Sequence, residues 1–356
     1  MKKFISVLLV FVLLLQLPVA VLASEPCSPE AYVTIFTASD FQNKDLKSYD
    51  SIYPGILKNM KNSYSVPKPD YVLIGGDYSR STGDVASAGI IKIKDITADI
   101  YPEVNKDAIY CIQGNHDLLS CAYTKTGLLD MGTYLLYAIN EDDFPEKEDI
   151  FGNLAVKNTA KNLRSALKKL IDGDEKRPVI IMSHVPLHHS DRRGGADNKY
   201  SSLIFDVINN AAKTLDIVFL FGHNHSGKYD DYLGGSVNFL SPGEMIRIPD
   251  SKKPTSYQNC TLNFTYTNFG YINHTSNSRN NSSTDTPTIG LIQITTTKII
   301  LSKFTESSLH STHSVIRKNE TSGNNSQNNA PTNLVSSFIW NYVYRIKDFI
   351  VKLFLR

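Results

Sequence analysis

Carboxylate, amide and imidazole side chains recur in five short blocks of this chain, each placed just after an apolar run. In order the blocks are Ser39-Asp40-Phe41-Gln42, Gly75-Gly76-Asp77, Gly114-Asn115-His116-Asp117, Ser183-His184-Val185-Pro186 and Gly222-His223-Asn224-His225. Six of the nine histidines lie in these blocks or directly behind the fourth: His116, His184, His188, His189, His223 and His225. Neutral imidazole and carboxylate are the donors that suit borderline divalent metals such as zinc, iron and manganese. Any one of these histidines alone would read as a satisfied core or surface residue. That reading does not explain why the same residue types return at the same place behind each apolar run.

The runs themselves say how the blocks are positioned. They are Tyr32 to Phe36, Tyr71 to Ile74, Ala108 to Ile112, Val179 to Met182 and Ile217 to Phe221, all rich in β-branched and aromatic residues. Short runs of this kind read as buried strands. Five strands, each ending in a polar side chain, gather those side chains at one edge of a sheet, where open α/β sheets bind ligands. Helical patterns alternate with them at Tyr49 to Met60, Ala155 to Ile171 and Leu203 to Leu215. Further strand-like runs at Ser236–Leu240, Thr288–Thr295 and Ile299–Phe304 predict a second, more antiparallel sheet.

The five blocks in this order resemble the calcineurin-like metallophosphoesterase superfamily, over roughly residues 30–305. The resemblance implies an α/β, four-layer metallophosphoesterase fold, a two-sheet β-sandwich flanked by helices. It also implies two divalent metal ions (zinc, iron or manganese) and hydrolysis of a phosphoester, monoester or diester, by a hydroxide bridging them. Carried over residue by residue, Asp40, Gln42, Asp77 and His225 would hold the first metal. Asp77, Asn115, His184 and His223 would hold the second, with Asp77 as the bridge. His116 would contact the phosphate and help protonate the leaving group. Asp117 could orient the His116 ring and raise its pKa, could cap the loop as a turn residue, or could do both. His188 and His189 either line the substrate pocket or are ordinary loop histidines, and Arg192, Arg193 or Lys199 could meet a substrate phosphate.

Two departures bear on the branch. The family's first block usually reads Asp-x-His, whereas Gln42 offers a neutral oxygen, a weaker ligand than imidazole. The purple acid phosphatases need a tyrosine three residues after the bridging aspartate, and Arg80 stands there. An acid-sphingomyelinase-like phosphodiesterase, acting on a phospholipid or a smaller phosphoester, is suggested by the ends of the chain, although no cysteine-rich saposin-like domain precedes the blocks. The alternative is a catalytically weak, membrane-associated glycoprotein that uses the fold as a binding module.

Residues 1–23 read as a signal peptide: Lys2 and Lys3, an apolar stretch from Phe4 to Leu15, and small residues at Val21-Leu22-Ala23. The domain then runs 24–305, an Asn/Ser-rich linker 306–333, and a basic amphipathic helix 334–356. That helix would lie in a membrane interface or pack on the enzyme's own core. The location expected is secreted or endomembrane lumen. Sequons at Asn259, Asn263, Asn273, Asn280, Asn281, Asn319 and Asn324 fit that route. So do four cysteines, paired as Cys111–Cys121 and Cys27–Cys260 in the favoured of three arrangements.

The net charge is +2. Removing Lys2, Lys3 and the net +3 of Arg345, Lys347, Asp348, Lys352 and Arg356 leaves −3 for the body. A body of that sign lacks the basic footprint of a nucleic-acid binder.

Overall fold

The computed structural model describes residues 28, 30–42, 47–78, 86–118, 122–145, 149–189, 198–223, 239–252, 256–272 and 286–318. All belong to one compact unit, Met1–Asn319. The expected signal peptide, Cys27, Cys121, Arg192, Arg193, His225, segment 334–356 and the sequons at Asn273, Asn280, Asn281, Asn319 and Asn324 lie outside them.

Strands β1 (Val33–Ala38), β2 (Tyr71–Ile74), β3 (Ile109–Cys111), β12 (Ile289–Ile294), β13 (Lys298–Phe304) and β14 (Leu309–Ile316) form the first sheet. Its order is β14-β13-β12-β1-β2-β3, parallel from β1 to β3 and antiparallel beyond β1. The second sheet contains β4 (Gly127–Asp130), β5 (Leu135–Ile139), β6 (Val179–Ser183), β7 (Ile217–Phe221), β8 (Phe239–Leu240) and β11 (Thr265–Asn268). Its order is β4-β5-β6-β7-β11-β8, with β5, β6, β7 and β11 parallel. A small ribbon, β9 (Met245–Pro249) with β10 (Tyr257–Thr261), stands apart.

Helices α1 (Tyr53–Tyr64) and α2 (Ala86–Ile100) cover the first sheet; α3 (Ile150–Asp172) and α4 (Ser201–Ala211) cover the second. Alternation along each buried strand builds the layers. In β6, Val179 and Ile181 face α3 and α4, while Ile180 and Met182 face the other sheet. Strands buried on both faces read as continuous apolar runs, which is why these were visible in the sequence. The four-layer, two-sheet sandwich flanked by helices is thus the observed fold.

Three expectations change. The five block-bearing strands do not share one sheet: β1, β2 and β3 lie in the first, β6 and β7 in the second, so the functional edge is common to both. The segment read as the start of a linker contains β14, whose Ser and Thr residues pair across the sheet edge, as Ser302 Oγ does with Thr312 Oγ1 at 3.0 Å. Its alternation is polar on both faces, so no apolar period announces it. The fold continues to Arg317, whose guanidinium donates to Tyr32 Oη, Thr295 O, Thr296 O and Lys176 O.

Helix α3 starts five residues before its apolar face, because Asp149 caps it by accepting from the Gly152 N–H at 2.6 Å. Among the described residues no helix is long and apolar enough to cross a membrane. Cys111 and Cys260 are free thiols, and their expected partners Cys121 and Cys27 lie outside the described residues.

Candidate metal centre

Three of the strands that carry a block turn sharply at the functional residue. Asp40, Asp77 and His223 all adopt left-handed backbone, with φ of 58°, 59° and 70°. Such conformations cost energy in non-glycine residues and persist where surrounding contacts impose them. Here the contacts are backbone clamps between blocks. Asp40 N–H donates to Gly76 O, and the Phe41 and Gln42 N–H groups both donate to Asp77 O. Gly222 N–H donates to His184 O, and Ile272 N–H to Ser39 O. Gly76 must be glycine: its φ is 95°, and a Cβ there would lie 2.5 Å from the Gly114 nitrogen. A Cβ on Gly222 would collide with Ser39 Oγ and approach His184 Nδ1 to 3.0 Å.

These clamps bring donor atoms together. One ligand atom each from Asp40, Asp77 and His184 lies within 4.8 Å of the others, and all three residues are buried. His184 Nε2 is 3.4 Å from Asp77 Oδ2 and 3.0 Å from Asn115 Oδ1. His223 Nδ1 is 3.2 Å from the same Asn115 oxygen, and the two imidazoles meet edge to face at 5.2 Å. Gln42 Nε2 donates to Asp77 Oδ2 at 2.7 Å, so a half-turn of that amide would direct its oxygen to the cluster. Asp40 is held by Ser39 Oγ, which donates at 2.6 Å, and by the His223 N–H.

This donor set fits a divalent ion. His184 Nδ1 lies 2.7 Å from Gly75 O, an atom that can only accept, so the proton sits on Nδ1 and Nε2 is the atom left to coordinate. Asp77 offers one oxygen to the cluster while the other accepts the His116 N–H at 3.0 Å.

The electrostatics follow from mutual compensation. Burial alone would lower the His184 pKa, but the charge and hydrogen bond of Asp77, with help from Asp40 and the Gly75 carbonyl, push it up to about 10. Burial would raise Asp77, and His184 and His116 more than offset this, so its carboxyl stays below the usual range. Asp117 is raised by burial and by the charge of Asp77, against the N–H groups of Gly114 and Tyr78.

Of the two readings of Asp117, the loop role is the one with contacts. Its carboxylate accepts the backbone N–H groups of Asp77 (2.7 Å), Tyr78 (2.8 Å) and Gly114 (2.8 Å), and none of its hydrogen bonds reaches the His116 ring. The expectation that it orients that ring is therefore corrected: both oxygens are occupied in tying the third block to the second. His116 itself is half-buried beside Asp77.

His188 is corrected as well. It is 1% exposed, packed edge-on against Phe221 and Tyr266, with Nδ1 2.8 Å from Tyr266 Oη. Burial, with the charges of His189 and His223, lowers it to about 3, so the ring is neutral core rather than pocket wall. His189 is buried too, stacked at 3.6 Å on Tyr257, whose ring also meets Arg247. Lys199 lies over Tyr200, 5.2 Å from the ring centroid.

The sequence reading gave no role to Ser39, to the Gly75 carbonyl or to Tyr266. Ser39 stands inside a quoted block and could have been found there. A backbone carbonyl and a tyrosine far along the chain leave no local signal.

The model of the calcineurin-like phosphoesterase family matches residues 34–227, more than half of the chain. The chain belongs to the calcineurin-like phosphoesterase family. Among solved structures it is similar to a dimetal phosphatase from Danio rerio, at 10% identity over 81% of this chain and 100% of that one, with a TM-score of 0.48. It is also similar to Vps29 from Chaetomium thermophilum, at 9% identity over 80% of this chain and 97% of that one, with a TM-score of 0.34. No curated protein matches the sequence.

Proposed function

We propose that this chain is a binuclear-metal phosphoester hydrolase of the secretory route, with Asp77 bridging two ions. Asp40, Gln42, Asp77 and His225 would hold one; Asp77, Asn115, His184 and His223 the other. The observation that carries the reading is the convergence of Asp77 Oδ2, Asn115 Oδ1, His184 Nε2 and His223 Nδ1, drawn from both sheets. Ions held by these residues would supply charge neutralisation at the phosphoryl oxygens and a water of lowered pKa.

The chain's own groups do the rest. The Gly75 carbonyl keeps the His184 proton on Nδ1, and Ser39 fixes the rotation of Asp40. Asp117 ties the third-block loop, which carries His116, to the end of β2. His116, half-buried at the edge, supplies a proton to the leaving oxygen. Residues 1–23 and the exposed sequon at Asn259 support a secreted or lumenal location; at Asn263 the amide instead donates to Asn209 O.

Metal analysis of the purified full chain, with p-nitrophenyl phosphate and bis-p-nitrophenyl phosphate as paired substrates, tests this. Two ions per chain and turnover of at least one ester are expected, and the preferred ester separates monoesterase from diesterase. A chain that binds no metal and cleaves neither ester would be a binding module.

A further inference from the structure

Helix α3 runs antiparallel to the strands it covers, which brings its N-terminus to the edge where the metal-type residues gather. A short chain of contacts fixes that placement. Gln113, just before the third block, donates its N–H to Asn140 Oδ1 at 2.9 Å, and Thr159 of α3 donates to Asp143 O at 2.8 Å in the turn that follows Asn140.

The face of α3 turned to the core carries Val156, Thr159, Ala160, Leu163 and Leu167. Its outer face begins with three large apolar side chains in water: Ile150 at 85% exposure, Phe151 at 84% and Leu154 at 58%. Leu118, directly after Asp117 on the same edge of the fold, is 49% exposed. Lys157, Lys161, Arg164 and Lys168 then follow at three- and four-residue steps, all exposed. No acidic residue occurs in α3 before Asp172, which pairs with Lys168 at 2.7 Å. Solvated helix faces ordinarily mix both signs, and a cluster of exposed large apolar residues marks an interaction site.

The charge pattern selects the partner. A second copy meeting this face symmetrically would set basic side chains against basic ones, which costs energy. Nucleic acid would answer the charge and leave Ile150, Phe151 and Leu154 in water. A bilayer with anionic lipid answers both. Apolar side chains enter the headgroup boundary, and basic residues spread over roughly 16 Å of helix lie along the negative surface.

We propose that the outer face of α3 docks this protein onto an anionic phospholipid surface, with Ile150, Phe151 and Leu154 inserted and Lys157, Lys161 and Arg164 on the headgroups. The edge with the metal-type residues, at the N-terminal end of that helix, is then held next to the same surface, and the substrate class is a phospholipid headgroup ester. That last step rests on the hydrolase reading; the docking does not.

The test uses the full chain, sedimented with vesicles of phosphatidylcholine alone or with phosphatidylserine. Two triple variants are compared: Ile150→Ser with Phe151→Ser and Leu154→Ser, and Lys157→Glu with Lys161→Glu and Arg164→Glu. All six side chains are exposed and outside the metal cluster, so turnover of a soluble ester should not change. Binding to phosphatidylserine vesicles should fall about tenfold or more in each variant. Equal sedimentation of parent and variants, as when segment 334–356 carries the binding, overturns the proposal. So does a parent that ignores both vesicles, or a parent dimer by light scattering that the serine variant dissociates. Vesicle binding lost in both variants, from a chain that cleaves no ester, supports docking and overturns the hydrolase reading instead.

Discussion

Two regions of this molecule take ionisable side chains partly or wholly out of water, with opposite results. At the shared edge of the sheets, ligand atoms of Asp40, Asp77 and His184 lie within 4.8 Å, and the neighbouring His184 and His116 hold the Asp77 carboxyl below its usual range against burial. In the first sheet, Lys303 is half-buried, with the carbonyl of Asn268 as the acceptor of its side-chain amine, beside His313. Burial lowers that lysine from 10.5 to about 7, and burial with the charge of Lys303 lowers His313 to about 4. Desolvation is common to both regions; what differs is a partner of opposite sign. The first arrangement stores charge where a cation can use it, and the second gives charge up.

The largest effect expected follows from breaking the compensated cluster at its centre. Asp77→Asn should abolish turnover and lower metal content, because in the proposed site one carboxylate serves both ions. Two metals per chain with near-normal rates in that variant would end the binuclear assignment. Next, His116→Ala should keep both metals while turnover falls roughly 10²–10⁴-fold; a parental rate, or lost metal, would take His116 out of the proton-donating role.

A smaller change is expected at Gln42, whose amide already lies on Asp77. Gln42→His should tighten one metal site and Gln42→Ala loosen it, each by about tenfold. Superimposable metal titrations of all three proteins would show that Gln42 is not a ligand.

The smallest effect belongs to the uncompensated region. Because Lys303 has a lower pKa folded than unfolded, the unfolded chain takes up its proton first as pH falls. The stability this group contributes is therefore present above about 10.5 and is lost as pH falls to about 7. Lys303→Met should flatten thermal stability over that window; an unchanged slope would mean that the amine is charged and solvated.

The difference between the regions also bears on what could be read from sequence. Continuous apolar runs such as Ile217 to Phe221, buried on both faces, disclosed their strands and the residues at their ends. Helix α2 and strands β4, β5, β9, β10, β11 and β14 were not read, although β5 is as apolar and as buried as those runs; for three of the strands the signal itself is lacking. Along β10 and β14 most residues are exposed or half-buried, so no apolar period exists. Strand β11, Thr265–Asn268, is fully buried yet polar in composition.

The division of five strands between two sheets was equally hidden, since both sheets use the same apolar alphabet. Asp117 and His188 were assigned by proximity along the chain, and their actual partners, the Asp77, Tyr78 and Gly114 amides and Tyr266, are set by tertiary contacts.

The donors at the shared edge come from strands of separate sheets, Asp40 and Asp77 from one and His184 and His223 from the other. Any ion they share works as a rivet through the sandwich. Openings that would otherwise occur sheet by sheet then become a single event, since neither layer can part without first releasing the ion. Amide exchange along β1, β2, β6 and β7 should slow together on metal loading, and chelation should return the two layers to independent rates.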